Sequence, residues 1–324
     1  MTIIVLSFLF GVTASWIVFK YGGMIGSIDI PNNRSSHNKD VPKGGGFGIL
    51  LALVFFSLSL KIPIFIWLPG LIISLTSFWG GDRHCLSVKQ RLFIHFGCSL
   101  LFSILFLYSK QAGFETYIFC FPISVFIVGT ANFYNFMDGI DGIAGITGFL
   151  GFSLVAFYTK ISGMEPIYGA LSLSMAFACL GFLLFNTPKA KIFLGDVGSI
   201  LLGFVFACLI IVLSKDLMDF FVMAGFLAPF YFDEIFTMVF RIKNKEPLIK
   251  PHRKHIYQIL ANEAGIGHCK VSLGYGFLQL IIGLSAILIK PAGMFFLLGT
   301  YLVYCVIFAG FSIIVRRKFP LNEN

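Results

Sequence analysis

The chain has 324 residues, of which 57% are hydrophobic and only 12% are charged, and its mean hydropathy is +0.90. A soluble protein carries roughly 25% charged residues, so this composition excludes an ordinary water-soluble domain. The formal net charge of +9 would indicate a nucleic-acid partner in a soluble chain. Membrane topology explains it here, and no nucleic-acid partner is expected.

Apolar runs recur along the whole chain, and most of them are long enough to cross a bilayer as α-helices. They predict an all-α polytopic membrane protein that forms one integral-membrane domain over residues 1–324. The first run has neither a basic segment before it nor a small-x-small cleavage site after it, so we expect a span rather than a signal peptide. Eleven spans are expected, at about 2–19, 46–60, 63–79, 92–108, 117–134, 146–159, 167–185, 198–213, 219–240, 272–288 and 293–315.

Lys and Arg are unevenly distributed between the connecting loops. The loops that follow odd-numbered spans, called the odd-numbered loops below, hold 19 of the 24 Lys and Arg residues together with the C-terminal end. The other loops hold five, one each. The positive-inside rule therefore predicts a cytoplasmic face for the odd-numbered loops and the C-terminus, with the N-terminus outside. The odd-numbered loops cover about 20–45, 80–91, 135–145, 186–197 and 241–271.

Four aspartates stand at the ends of spans in the odd-numbered loops: Asp82, Asp138, Asp141 and Asp196. Ionisable groups at membrane depth are costly and indicate function. If the four carboxylates gather, they repel one another, and a divalent cation relieves that repulsion. Mg²⁺ typically takes one or two protein carboxylates plus phosphate oxygens. A capping or solvated role is the alternative for any single member of the set.

Glycines and cations accompany the acids. Gly44-Gly45-Gly46 is either a loop that lets phosphate approach the backbone or only a flexible lead-in to the second span. Cations beside a metal site suit a diphosphate. For the two histidines of the last loop, contacts with lipid headgroups are the main alternative, and a zinc site lacks an evident third ligand. The candidate cations are Arg34, His37, Lys43, His252, Arg253 and His255.

Four segments together resemble the signatures of the bacterial polyprenyl-phosphate N-acetylhexosamine-1-phosphate transferases, glycosyltransferase family 4. They are Pro42–Gly46, Asn135–Gly142, Phe193–Ser199 and His252–Gln258. The resemblance implies transfer of a sugar-1-phosphate from a UDP-N-acetylhexosamine to undecaprenyl phosphate, with release of UMP. It also implies Mg²⁺ or Mn²⁺ as cofactor, and a site on the cytoplasmic face of the bacterial inner membrane.

Two details of these segments resemble the branch of the family that initiates O-antigen synthesis in lipopolysaccharide. They are Arg34-Ser-Ser-His37 and His252-Arg-Lys-His255. The peptidoglycan branch usually has adjacent histidines in the last loop, which this chain lacks. The identity of the sugar and of the surface glycan stays open, and so does the oligomeric state, a homodimer included.

The resemblance also implies roles for individual residues. The metal is expected on Asp196 with Asn135 nearby, and the catalytic set is Asp82, Asp138 and Asp141. Asp233 matches an acidic position common in the family. The residues expected to bind substrates are Arg34, His37, Lys43, Asn132, Asn186, His252, Arg253 and His255.

One position departs from the family pattern. Two adjacent aspartates are usual after the third span, whereas this chain has Gly81-Asp82. Either Asp82 performs both tasks, or another carboxylate substitutes, or activity is reduced. Three further alternatives stay open: a two-step route through a phosphorylated Asp82 or Asp138, an inactive homologue that binds nucleotide sugar, and a transporter or lipid flippase whose acids bind a coupling ion.

Overall fold

A computed structural model describes residues 1–25, 27–31, 36, 39–82, 86–247 and 252–320, without the side chains of 25, 81 and 82. The described chain is a helical bundle with one two-stranded hairpin. The helices are α1 Thr2–Ile25, α2 Phe47–Ser59, α3 Ile64–Ser77, α4 Val88–Ser109, α5 Cys120–Phe136, α6 Ile143–Ile161, α7 Pro166–Asn186, α8 Asp196–Leu213, α9 Leu217–Ala224, α10 Ala228–Lys243, α11 Ile256–Gln258, α12 His268–Ile289 and α13 Met294–Lys318. The strands are β1 Ile28–Asp29 and β2 Val41–Pro42, which pair antiparallel.

The described residues contain nine helical segments that are long and apolar enough to cross a membrane, and two shorter apolar ones. Each coincides with one of the eleven predicted spans, so the expected all-α polytopic membrane protein is confirmed. The two shorter segments, Phe47–Ser59 and Ile64–Gly80, are below the ~20 residues that a perpendicular crossing needs. The number of crossings and the orientation therefore stay predictions.

The span predicted at 219–240 is longer and less regular than expected. It runs from Leu217 to Lys243 as a single apolar segment of 27 residues. A 3-10 turn at Gly225–Leu227 separates α9 from α10 within it. Pro229 lies in the first turn of α10, where the missing N–H of proline costs no helical hydrogen bond. The break therefore lies where the sequence tolerates a helix start.

Helix α8 is the centre of the bundle. Its mean hydropathy is 2.6 and 83% of its residues are buried, compared with 17% over an 18-residue stretch of α13. A helix that is apolar on all sides belongs in an interior. Gly203 lets α5 approach closely, because a Cβ there would lie 2.6 Å from Ala131 Cα. The first residue of α8 is Asp196, so the buried central helix fixes the position of the predicted metal ligand.

Candidate active site

The first and fourth odd-numbered loops are joined through their backbones. The N–H groups of Gly44 and Gly45 both donate to the Phe193 carbonyl, at 3.1 and 2.9 Å, and the Gly46 N–H donates to the Leu194 carbonyl at 3.0 Å. Gly44-Gly45-Gly46 is therefore neither a loop open to phosphate nor a flexible lead-in to the second span. The glycine N–H groups bond to protein carbonyls, and the segment is fixed against its neighbour rather than flexible.

Asp196 begins α8 and carries a cationic partner. Arg91 Nη1 lies 2.7 Å from Asp196 Oδ2, and about a quarter of each side chain is exposed. One turn along α8, Ser199 Oγ donates to Asn135 Oδ1 at 2.5 Å. The helix dipole also favours an anionic group at this end. The two predicted metal ligands, Asp196 and Asn135, are thus linked through the first turn of one helix.

The loop that carries Asp138 and Asp141 is held by a buried carboxamide. Asn186 Oδ1 accepts from the Gly142 N–H at 2.7 Å, and Asn186 Nδ2 donates to the Ile192 carbonyl at 2.9 Å. Gly142 has φ +86°, a left-handed conformation that favours glycine. The geometry makes Asn186 a connector of the third and fourth odd-numbered loops, and its predicted contact with substrate stays a prediction.

Asp233 anchors the last odd-numbered loop. It is fully buried and accepts hydrogen bonds from the N–H groups of Ile256 at 2.8 Å and Tyr257 at 3.2 Å. Tyr275 Oη donates to it at 2.6 Å. His255 lies beside the same pocket, with Nε2 3.4 Å from Glu234 Oε2. These contacts give Asp233 a positioning role for the segment that carries the predicted substrate contacts.

Tyr257 joins the last loop to the third one. Its hydroxyl donates to the Phe136 carbonyl at 3.0 Å, and a Cβ at Gly139 would lie 2.3 Å from that hydroxyl oxygen. Burial, together with the charge of Asp233, raises the pKa of Tyr257 well above its usual value. Tyr257 is therefore a neutral donor, and Gly139 leaves it the room that it needs.

His252 and Arg253 differ in their charge. The pKa of His252 is lowered from 6.5 to about 3. Burial is the largest cause, and the neighbouring His255 and Arg241 lower the pKa further. His252 is therefore neutral at physiological pH. Arg253 carries a permanent charge and lies 3.0 Å from Glu263 Oε1, with 36% of its side chain exposed. Of these two predicted contacts for a diphosphate, Arg253 is the cationic one.

His268, which the motifs do not include, contacts one of the predicted catalytic acids. Its Nδ1 lies 3.3 Å from Asp141 Oδ2 and 3.3 Å from the Asp141 N–H nitrogen. Ser272, one turn further along α12, donates to the Asp141 carbonyl at 2.8 Å. A lone histidine at the start of a span has no diagnostic spacing. In the sequence, only its location in an odd-numbered loop indicates that it could lie near the site.

The remaining predicted residues are placed as follows. Lys43 Nζ lies 3.0 Å from Asp29 Oδ1, and Asn132 Nδ2 donates to the Val128 carbonyl at 2.8 Å. Arg34 and His37 lie outside the described residues, and the side chain of Asp82 is also outside them. For the described parts, contacts between loops confirm that all five odd-numbered loops meet at one end of the bundle.

The oxygens at the start of α8 fit a hard divalent cation. Among the described residues, no three His, Cys, Asp or Glu side chains lie close enough together to hold a metal ion. Mg²⁺ does not require such a cluster, because one or two carboxylates suffice when phosphate and water supply the other oxygens. Asp196 offers a partly exposed carboxylate, and Asn135 offers a carboxamide oxygen that contacts Ser199, in the first turn of the same helix. The donor set is therefore compatible with magnesium bound together with a diphosphate.

Comparisons with known proteins agree with this arrangement. The family model described as Glycosyl transferase family 4 matches residues 63–214. The chain is 30% identical, over 325 aligned positions, to a probable undecaprenyl-phosphate N-acetylglucosaminyl 1-phosphate transferase of Bacillus subtilis (strain 168), with 94% of this chain and 89% of the relative covered. An undecaprenyl-phosphate alpha-N-acetylglucosaminyl 1-phosphate transferase of Thermotoga maritima is 28% identical, with 86% of each protein covered.

A third relative shares a shorter region. A phospho-N-acetylmuramoyl-pentapeptide-transferase of Staphylococcus aureus is 30% identical over 146 residues, which are 41% of this chain and 45% of the relative. The Bacillus protein, in contrast, aligns over nearly the whole length. The chain therefore belongs to glycosyl transferase family 4, the bacterial polyprenyl-phosphate N-acetylhexosamine-1-phosphate transferases that its motifs resemble.

Proposed function

We propose that this protein transfers an N-acetylhexosamine-1-phosphate from a UDP-sugar to undecaprenyl phosphate, releases UMP, and so starts a lipid-linked surface glycan such as O-antigen. The observation that carries the proposal is the meeting of five polar loops at one end of an apolar bundle. Carboxylates, a carboxamide and a partly exposed arginine are found there together. Two relatives that align over at least 86% of their length carry names for this type of reaction.

The reaction is a phosphoryl transfer in one step. An oxygen of the lipid phosphate attacks the β-phosphorus of the UDP-sugar, the new P–O–P bond forms, and the bond to the α-phosphate oxygen breaks to leave UMP. A phosphate monoester with a second pKa of about 6 is already largely dianionic at neutral pH. The attacking oxygen therefore needs little help from a base, which makes Gly81 beside Asp82 tolerable.

The chain's own residues supply position and charge, as in other phosphoryl transfers. Asp196 and Asn135 would hold Mg²⁺ or Mn²⁺. When bound, the metal ion would neutralise negative charge on the diphosphate. Asp138 and Asp141 shape the nucleotide side, where His268 orients Asp141. Arg253 offers a cation to the diphosphate.

The proposal is tested with purified protein, undecaprenyl phosphate, Mg²⁺ and a panel of UDP-N-acetylhexosamines. UMP release and the lipid-linked product are followed by mass spectrometry. We expect product from one donor sugar. Asp196→Asn should abolish turnover at any Mg²⁺ level. Asp216→Asn is the matched control, because Asp216 caps the short helix α9 and asparagine caps equally well. Near-normal turnover in Asp196→Asn would refute the metal assignment.

Two other outcomes distinguish the alternatives. UMP formed without any lipid acceptor, together with a trapped phosphorylated enzyme, would support the two-step route. No product from any donor, alongside an active relative, would support the inactive homologue. Restoration of activity by Gly81→Asp would then identify the absent carboxylate as the cause.

A further inference from the structure

A second polar feature lies at the same end of the bundle but behind the last odd-numbered loop. It is a cavity of about 190 Å³ between the ends of α10 and α13 and the turn that follows α11. Lys254 links the cavity to the candidate site, because it lies between Arg253 and His255 in the sequence. The described residues that line the cavity are Phe240, Asn244, Lys254, Ile259, Arg316, Phe319 and Pro320.

The lining is cationic. It includes Lys254 and Arg316, and none of the described lining residues is acidic. Lys254 Nζ lies 2.8 Å from Glu246 Oε1, but the same carboxylate is also contacted by Arg241, at 3.5 Å. Glu246 therefore contacts two cations.

Arg316 is held mainly by neutral groups. Its Nη2 donates to Thr237 Oγ1 at 3.0 Å and its Nε donates to Ser312 Oγ at 3.3 Å. Its guanidinium lies 4.4 Å from the centre of the Phe240 ring. Within the described chain, Arg316 Nη1 is buried without a hydrogen-bond partner. A partly buried cation held by hydroxyls and a ring is suited to an external anion.

The walls of the cavity and its surroundings are apolar. Phe240, Ile259 and Phe319 line the cavity itself. On the two adjoining helices, apolar side chains within a turn of the lining residues are more than half exposed, among them Ile242 at 60% and Ile314 at 64%. This combination matches a phospholipid, because its phosphate can contact the cations and its acyl chains can contact the apolar surface. Basic pockets between membrane helices bind anionic lipid headgroups in this way.

We propose that this cavity binds the phosphate group of an anionic phospholipid. The bound headgroup contacts Lys254 and Arg316, and so connects α13 to the loop that carries Arg253 and His255. The lipid thereby stabilises that loop. The site does not depend on the proposed reaction, since neither the nucleotide sugar nor the lipid acceptor takes part in it.

The test measures lipid retention without any substrate. Wild type, Arg316→Gln, Lys254→Gln and Arg317→Gln are placed in nanodiscs of phosphatidylcholine with and without phosphatidylglycerol, extracted into mild detergent, and examined by native mass spectrometry. Arg317 is the matched control, because it is exposed and neighbours Arg316 on α13. Melting in pure phosphatidylcholine verifies that each variant folds.

We expect Arg316→Gln and Lys254→Gln each to retain about fivefold less phosphatidylglycerol, the effect of one basic residue near an anionic headgroup. Arg317→Gln should retain nearly as much as wild type. A parallel arm adds inorganic phosphate in phosphatidylcholine. If phosphate alone raises the melting temperature of wild type but not of Arg316→Gln, the anion site is supported and its occupant is free phosphate. Equal lipid loss in all three variants, with no effect of phosphate, would overturn the proposal.

Discussion

At the scale of single residues, a buried carboxylate acts as an anchor for a polar loop. Asp233 has no exposed surface and receives two backbone N–H groups and two hydroxyls. A buried charge is tolerated only when hydrogen bonds and neighbouring charges replace the lost water. The loop that supplies the two N–H groups is thereby fixed beside the candidate site.

Tyr275→Phe should loosen this anchor. The substitution removes one hydrogen bond to a charged group and should lower the free energy of unfolding by about 1.5–3 kcal/mol. Tyr304→Phe is the control, since Tyr304 pairs with the neutral hydroxyl of Ser285, and it should cost only about 0.5–1.5 kcal/mol. Thermal unfolding measures both variants. Hydrogen exchange over residues 255–263 should increase only in Tyr275→Phe, and unchanged exchange would refute the anchoring role.

His252 should make the protein less stable in mild acid. Its folded-state pKa of about 3 lies below the ordinary value of 6.5. Between these values the unfolded chain binds a proton that the folded chain does not, so stability falls as the pH drops below 6.5. From pH 7 to pH 5, we expect a steeper decline of the melting temperature in wild type than in His252→Asn. Parallel declines in the two proteins would contradict a neutral, buried His252.

At the scale of elements, close backbone contact explains one glycine in each of two motif segments. A Cβ on Gly46 would lie 2.3 Å from Gly198 Cα, and a Cβ on Gly198 would lie 2.7 Å from Gly46 Cα. The start of α2 therefore touches the first turn of α8 through backbone atoms alone. The contact keeps the first odd-numbered loop against Asp196.

Gly46→Ala should separate these two helix starts. The obstructing atoms belong to backbone, which cannot rotate away, so overpacking should cost about 1–3 kcal/mol. Gly129→Ala on α5 is the control, because a Cβ there meets nothing within 4 Å. We expect a lower melting temperature and reduced turnover for Gly46→Ala, and neither change for Gly129→Ala. Equal melting temperatures would show that the helices shift without cost.

The spans and the gathering of the polar loops could be predicted from the sequence, because hydropathy and the Lys and Arg distribution report the membrane directly. The partners of individual residues could not. In the sequence, Arg91 is only one of the cations of the odd-numbered loops, whereas in the structure it contacts Asp196. His268 belongs to no motif. Contacts between loops more than 100 residues apart depend on how the spans pack. Because the apolar runs are alike in composition, their sequences do not show which spans pack against each other.

At the scale of the whole molecule, polar chemistry is found at both ends of the buried helix α8. Its 18 residues span about 27 Å, with Asp196 at one end. Beyond the other end, Asp219 accepts from Tyr158 Oη at 2.6 Å and pairs with Lys290 Nζ at 2.6 Å. This ionic contact joins α6, α9 and the end of α12. We therefore expect substitutions at this end to affect stability without affecting turnover.

Lys290→Met tests that separation. Asp219 is only 2% exposed, so loss of Lys290 leaves a buried carboxylate with hydrogen-bond donors but without its cation. Breaking a fully buried pair costs about 3–5 kcal/mol, but the Lys290 side chain is 32% exposed, and solvent screening should reduce the loss to about 1–3 kcal/mol. Thermal unfolding measures this loss. Lys160→Met removes one exposed lysine from the same end and should change little.

The variant with both Asp219→Asn and Lys290→Met should recover part of the lost stability, because it no longer buries an unpaired charge. The turnover of folded Lys290→Met, measured well below its melting temperature, should equal that of wild type. A changed KM for either substrate would show that the two ends of the bundle are coupled through α8. The rigidity of its buried core would then transmit strain from Asp219 to Asp196 rather than isolate the two ends.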